Sequence, residues 1–180
     1  MTFYRELTLK NGKTCILRNA AEEDAAEVFD VFCRVHGETD YLLTYPDESG
    51  SAEGEAAFLR MRTESARDIE LCAVIDGNIV GLAGISGIGD RDKIRHRAEF
   101  GISILKEYWN LGIGRAMTQA CIACAKDAGY AQLELEVVAE NQTALALYES
   151  VGFSEYGRNP RGFLSRYSGW QELVLMRMEM

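Results

Sequence analysis

Apolar and polar residues alternate along "YRELTLKNGKTCILRNA", Tyr4 to Ala20, and the alternation pauses only at Asn11-Gly12. That pattern predicts a β-hairpin closed by a type I′ turn. The period then changes. In "AEEDAAEVFDVFCRV" acidic residues open the segment, and Val28, Phe29, Phe32 and Val35 recur at helical spacing, which predicts a helix. "HGETDYLLTYPDESG" has no period, and Ser51 to Ala66 reads as a second helix. "IELCAVIDGNIVGLAGISGI" is a further hairpin, turning at Asp76-Gly77-Asn78, and "RAEFGISIL", Arg97 to Leu105, is a strand.

Past that strand the chain runs "KEYWNLGIGRAM" into a helix from Gly114 to about Ala128. Met117, Cys121, Cys124 and Ala128 fall on one face of it. Gly129 stops the helix, and "AQLELEVVA" alternates as a strand. Asn141 is placed to cap "QTALALYES", which Gly152 closes, and two tail strands follow near Ser154–Arg158 and Glu172–Met178. The order ββ, αα, βββ, α, β, α, ββ predicts one α/β domain over residues 1–180, a mixed sheet with helices on its faces.

Gly112 and Gly114 sit where a helix begins and its first backbone N–H groups have no intrahelical partner. With the helix dipole such donors suit an anion, phosphate above all, and glycine lets it approach closely. An ordinary strand-to-helix turn is the other reading of these residues. The motif is not a Walker A sequence, because Arg115-Ala116 stands where Lys-Ser/Thr would be needed.

Three pieces in order resemble the Gcn5-related N-acetyltransferase (GNAT) superfamily: "AEFGISIL" running into "KEYWNLGIGRAM", the strand "LELEVVAEN", and "NQTALALYESVGF". The last is similar at every named position to the family's Asn-x-x-Ala-x-x-Leu-Tyr-x-x-x-Gly-Phe pattern, Asn141 to Phe153. The resemblance covers essentially the whole chain. It implies the GNAT fold, a mixed, mostly antiparallel sheet of about seven strands flanked by about four helices. It also implies an acetyl-CoA-dependent N-acetyltransferase working by direct transfer in a ternary complex. The backbone of Leu111, Gly112, Ile113, Gly114 and Arg115 would surround the two CoA phosphates. The Ile104 N–H would meet the thioester carbonyl, beside a strand that splays from its neighbour at a bulge. One position departs from the family: Trp109 stands where Gln or Arg is commonest, leaving Arg115 as the nearest cation.

Asn141 would hold the pantetheine arm and Tyr148 would act as general acid toward the departing sulfur. The two are seven residues apart, hence on one helix face, although a cap and a packed core aromatic are their plain readings. An alkylammonium must lose its proton before it attacks, at a cost of about 4–5 kcal/mol at pH 7. Glu99 and Glu136 are the candidate bases, with Glu134 on the same strand face as Glu136. Each also reads as a solvent-facing glutamate.

Composition trims the alternatives. A formal charge of −9 argues against nucleic acid and fits a cationic partner, a small-molecule amine or a protein N-terminus. The five cysteines suit a reducing, cytoplasmic setting; Cys121 and Cys124 lie mid-helix and read as core, so no metal is expected. No stretch reads as a signal peptide or a membrane span. "RDKIRHR" reads as a solvated loop, or as a contact for the CoA 3′-phosphate. The acceptor would enter between His36–Pro46 and Arg158–Gly169, where Glu38, Asp40, Tyr41 and Tyr45 are available to an amine. The Leu- and Met-rich tail strand could pair across a homodimer. Two other classes stay open, an acyl-CoA-binding module without turnover and a nucleotide-binding P-loop protein.

Overall fold

The computed structural model describes residues 1–48 and 50–180. Eight strands form one sheet: β1 (Tyr4–Thr8), β2 (Thr14–Asn19), β3 (Ile69–Ile75), β4 (Asn78–Gly87), β5 (Arg97–Ile104), β6 (Gln132–Val138), β7 (Ser154–Ser165) and β8 (Gly169–Glu179). Four helices accompany it: α1 (Ala25–Glu38), α2 (Ala52–Glu64), α3 (Ile113–Asp127) and α4 (Gln142–Ser150). The order across the sheet is β1-β2-β3-β4-β5-β6-β8-β7, and only β5 and β6 are parallel.

The type I′ turn expected at Asn11-Gly12 forms in the other hairpin. Asp76 and Gly77, with φ of 52° and 83°, make the two-residue type I′ turn between β3 and β4. At Asn11-Gly12 only Gly12 is left-handed, at φ 83°, and its N–H bonds the Leu9 carbonyl at 2.9 Å. Lys10 and Asn11 are therefore the central residues of a three-residue loop, and Gly12 restores the strand twist. The tail also differs. The segment Arg158–Gly169, expected as a loop, is mostly strand, interrupted where five residues of β7, Asn159 to Phe163, stand against three of β8, Leu173 to Gln171. Pro160 cannot donate to a ladder, so the bulge forms around it on this edge strand.

The helices cover both faces. α1 and α2 pack on one face near β3 and β4, and α3 on the other over β3, β4 and β5. Met117, Cys121, Ala125, Leu133, Val174 and Met176 are fully buried under α3 and the centre of the sheet. Cys121 and Cys124 are core residues as expected, and burial pushes both thiols up, that of Cys124 to about 11. On α1, Val28 and Val35 are buried together with Val31, whereas Phe29 and Phe32 are only half-buried. β8 lies between β6 and β7, so the tail strand has no free edge for pairing across a dimer.

Candidate active site

β5 and β6 are hydrogen-bonded through only three residue pairs, Arg97↔Gln132, Ala98↔Leu133 and Glu99↔Glu134. Past that seam the strands diverge. On its other side β5 keeps regular pairing with β4 from Ala98↔Gly87 to Ile104↔Gly81, so the splay arises without the expected bulge in β5. The shift in register lies one strand away, between β3 and β4 at Ala73/Val74.

This pairing decides where the amides of β5 point. Leu105 donates to the Val80 carbonyl at 3.0 Å, and Ile88 to the Arg97 carbonyl at 3.1 Å. Antiparallel alternation therefore assigns the odd-numbered residues of β5 to β4. Ile102 and Ile104 turn their N–H and C=O groups the other way, into the gap that β6 has left. The Ile104 carbonyl takes the Trp109 indole N–H at 2.7 Å. Trp109 thus props the end of the strand.

The loop after β5 holds two left-handed residues, Asn110 at φ 64° and Gly112 at φ 98°. Gly112 caps α3, whose first intrahelical bond runs from Ala116 N–H to its carbonyl at 3.2 Å. A Cβ at Gly112 would meet nothing within 4 Å, so the space at the helix start is open on that side. Gly114 answers to packing instead, since a Cβ there would stand 3.3 Å from Leu147 and 3.6 Å from Ile104. Ile113 is buried and pins the first turn to the core. The Arg115 guanidinium donates to Ser150 Oγ at 2.8 Å, tying α3 to the end of α4. Lys10 was not anticipated here: its N–H reaches the Leu111 carbonyl at 3.3 Å, bringing the β1–β2 turn against the loop.

Asn141 caps α4, its Oδ1 accepting from Ala144 N–H at 3.2 Å. Two turns on, the Tyr148 ring is buried edge-on to Phe100 and Phe153, at 6.1 and 6.0 Å between centroids. Its hydroxyl has no protein partner among the described residues, where the one fully buried side-chain polar atom left unpaired is Arg62 Nε. The hydroxyl therefore sits at a solvent-reached edge. Desolvation pushes its pKa up to about 12, so it is a neutral donor at physiological pH.

The glutamates lie on the opposite face. Phe100 faces α4, so Glu99 points away from it, and the Arg97–Glu134 ion pair sets Glu134 and Glu136 on the same side as Glu99. Glu134 is engaged: Arg97 and the Gln132 amide hold it, and chiefly through Arg97 its carboxyl lies below the usual carboxylate range. Glu99 and Glu136 are exposed, Glu99 at the seam and Glu136 two residues beyond it on the wall of the gap.

A cleft of about 490 Å³ opens at the mouth of the gap. Its walls are Glu38 to Tyr41 at the end of α1, Lys106 and Trp109 after β5, Glu140 after β6, Ser168 of the β7–β8 turn, and Trp170 and Gln171 at the start of β8. Two of the expected amine-binding residues serve here as struts. Asp40 Oδ2 accepts from Ser165 Oγ at 2.6 Å, Ser168 Oγ at 2.8 Å and Gln171 Nε2 at 3.3 Å. The Tyr45 hydroxyl accepts from Arg166 N–H at 2.8 Å, and the Arg166 guanidinium covers the Tyr45 ring and binds Asp47 at 2.7 and 2.8 Å. Glu38 Oε2 takes the Lys106 N–H at 2.7 Å. Trp170, Glu140 and Lys106 escaped the sequence reading, because their exposure at one cleft appears only in the fold. The basic run Arg91–Arg97 leads into the start of β5, at the far end of that strand from the glycine loop.

The model of the acetyltransferase (GNAT) family matches residues 35–153. The L-amino acid N-acyltransferase MnaT of Escherichia coli is 22% identical over 164 residues, 91% of this chain and 93% of MnaT. The ribosomal protein bS18-alanine N-acetyltransferase of Escherichia coli is 35% identical over 79 residues, 44% of this chain and about half, 53%, of that protein. Among solved structures, an acetyltransferase of the GNAT family from Streptococcus pneumoniae superposes with a TM-score of 0.88 at 31% identity. It covers 92% of this chain and 99% of that one. yncA from Salmonella typhimurium, solved with its cofactor acetyl-CoA, superposes at 0.82 with 18% identity over 92% of this chain and 93% of its own.

Proposed function

The chain belongs to the acetyltransferase (GNAT) family, and on that footing we propose that it moves the acetyl group of acetyl-CoA to a primary amine by direct transfer in a ternary complex. The observation that carries this reading is the gap beside β5, where main-chain amides face open space next to a glycine-capped helix start. In this reading the N–H groups of residues 111–115 hold the pyrophosphate and the Asn141 amide steadies the pantetheine arm. The Ile104 N–H donates to the thioester oxygen as negative charge gathers there.

The acid and the base stand on opposite faces of the sheet, with the reacting carbon between them in the gap. Glu136, with Glu99 as the second candidate, accepts the proton that the ammonium must lose, directly or through a water. The amine nitrogen bonds to the acetyl carbon, the carbon–sulfur bond breaks, the Tyr148 hydroxyl gives its proton to the sulfur, and the phenolate is reprotonated through water by the second proton that the nitrogen sheds in becoming an amide. Glu134 is set aside as base because Arg97 already occupies it.

Thiol release from acetyl-CoA, followed with a panel of primary amines, tests the proposal. Amine-dependent release is the expected result. Binding of acetyl-CoA with no release for any amine would leave only a binding module.

A further inference from the structure

The cleft at the mouth of the gap has a chemistry that acetyl transfer alone does not require. Three carboxylates, of Glu38, Asp40 and Glu140, and the indoles of Trp109 and Trp170 surround one cation, Lys106. We propose that the acceptor is a di- or polyamine. One amino group enters the gap for transfer, and a second, still protonated, stays in the cleft between Glu38 and Glu140 against Trp109. This inference rests on the acetyltransferase reading and narrows its acceptor.

The charge pattern separates acceptor classes. An α-amino acid carries a carboxylate beside its amine, which would lie among three carboxylates with Lys106 and, against Trp170, Arg161 to answer it. A second ammonium in the same place is favoured by every one of those groups except these two cations. Not all three acids are equally available. Asp40 Oδ2 is already taken by three donors in and beside the β7–β8 turn. Glu38 is held in place through one oxygen by the Lys106 N–H and keeps the other, and Glu140 is exposed and unpaired among the described residues.

The aromatic walls suit the same ligand. Trp109 is 37% exposed and its ring is fixed by the bond to the Ile104 carbonyl, so its orientation needs no rearrangement when a cation arrives. Tryptophan is the best aromatic partner for an ammonium. Trp170 is 54% exposed and already carries the Arg161 guanidinium at 5.3 Å from its ring centre.

Size suits a small acceptor. One wall of the cleft is a strap in which Asp40 grips the β7–β8 turn, and Arg166 extends it to Tyr45, Asp47 and Glu48. An aliphatic polyamine fits the cleft of about 490 Å³ beside this strap.

The test compares 1,4-diaminobutane, spermidine, n-butylamine, L-alanine and a peptide with a free N-terminus. Each is tested as acceptor in thiol release and as ligand in thermal shifts with CoA present. We expect kcat/KM for 1,4-diaminobutane to exceed that for n-butylamine by about tenfold or more, the worth of one charged contact. Glu140→Gln should bring that ratio toward one and Glu140→Asp should keep part of it; a ratio cancels any general loss of folding or turnover. Equal values for the two amines in the wild type, or a preference for the amino acid or the peptide, overturn the inference and leave the transferase reading standing. If no amine releases thiol, that reading fails, and the thermal shifts still test the cleft. A larger shift with the diamine supports the ammonium site in the cleft, though not its owner as acceptor, and equal shifts reject the site as well.

Discussion

Replacing Tyr148 with phenylalanine separates the chemistry of this site from its architecture. The ring is buried and makes its edge contacts to Phe100 and Phe153 through carbon, so phenylalanine retains all of them. The hydroxyl makes no protein hydrogen bond among the described residues, so its removal strands no partner. The expected change in stability is within about 0.5 kcal/mol, or about 1–2 °C in Tm for a chain of this size. The chemical loss is of another order. A positioned general acid is worth about 10²–10⁴ in rate, equivalent to ~3–5 kcal/mol of barrier. With its pKa pushed up to about 12, the tyrosine also stays protonated through the neutral and mildly alkaline range. Wild-type kcat should therefore show no loss of a required acid until well above pH 9. The assay is thiol release at saturating acetyl-CoA and amine, with melting and calorimetric acetyl-CoA affinity measured on the same preparations. We expect kcat to fall at least about a hundredfold while Tm and Kd hold. A variant with unchanged Tm and unchanged kcat would refute the assignment of Tyr148 as proton donor.

Other outcomes follow from single contacts. Gly112→Val forces a β-branched residue to φ near 98° and puts its side chain into the open space at the start of α3, so acetyl-CoA affinity should fall more than tenfold in calorimetry while the circular dichroism spectrum is kept. Glu134 has a depressed folded-state pKa, so its pair with Arg97 stabilises above the ordinary 4.5, and that contribution disappears as pH falls below it. Melting curves between pH 3 and 7 should accordingly show a shallower acid limb for Glu134→Gln than for wild type. Asp40→Ala removes the acceptor for Ser165, Ser168 and Gln171 together and should cost about 1–3 kcal/mol; KM for the amine should rise with little change in that for acetyl-CoA, read from initial rates.

Local signals carried much of this molecule. The period change after Ala20, the glycine that opens α3 and the Asn141 cap each depend on residues within a few positions of one another, and each stands where the pattern placed it. What the pattern could not contain is long-range. Asp40 and Ser165 are 125 positions apart, so nothing near either residue announces the strap, and both Asp40 and Tyr45 looked free for an amine. The same applies to Glu134, whose alternation matches that of Glu136 until the parallel seam brings Arg97 beside it. The stretch Arg158–Gly169 was misread for a different reason. Pro160, Gly162 and Gly169 give it the composition of a loop, but a long β8 partner keeps it extended on both sides of the bulge.

The sheet order has a consequence for how the site is made. From β1 to β5 the strands lie side by side in the order in which they are synthesised, so each hairpin can close on the one before it as the chain grows. β6 breaks that rhythm: it joins β5 by three residue pairs and finds its long partner only when β8 slides between it and β7, along Gln132↔Glu179 to Val138↔Leu173. The far wall of the gap is thus assembled late, from segments distant in sequence, against a nearer wall already built. A nascent chain would have a finished helix start and glycine loop well before it had anything opposite them.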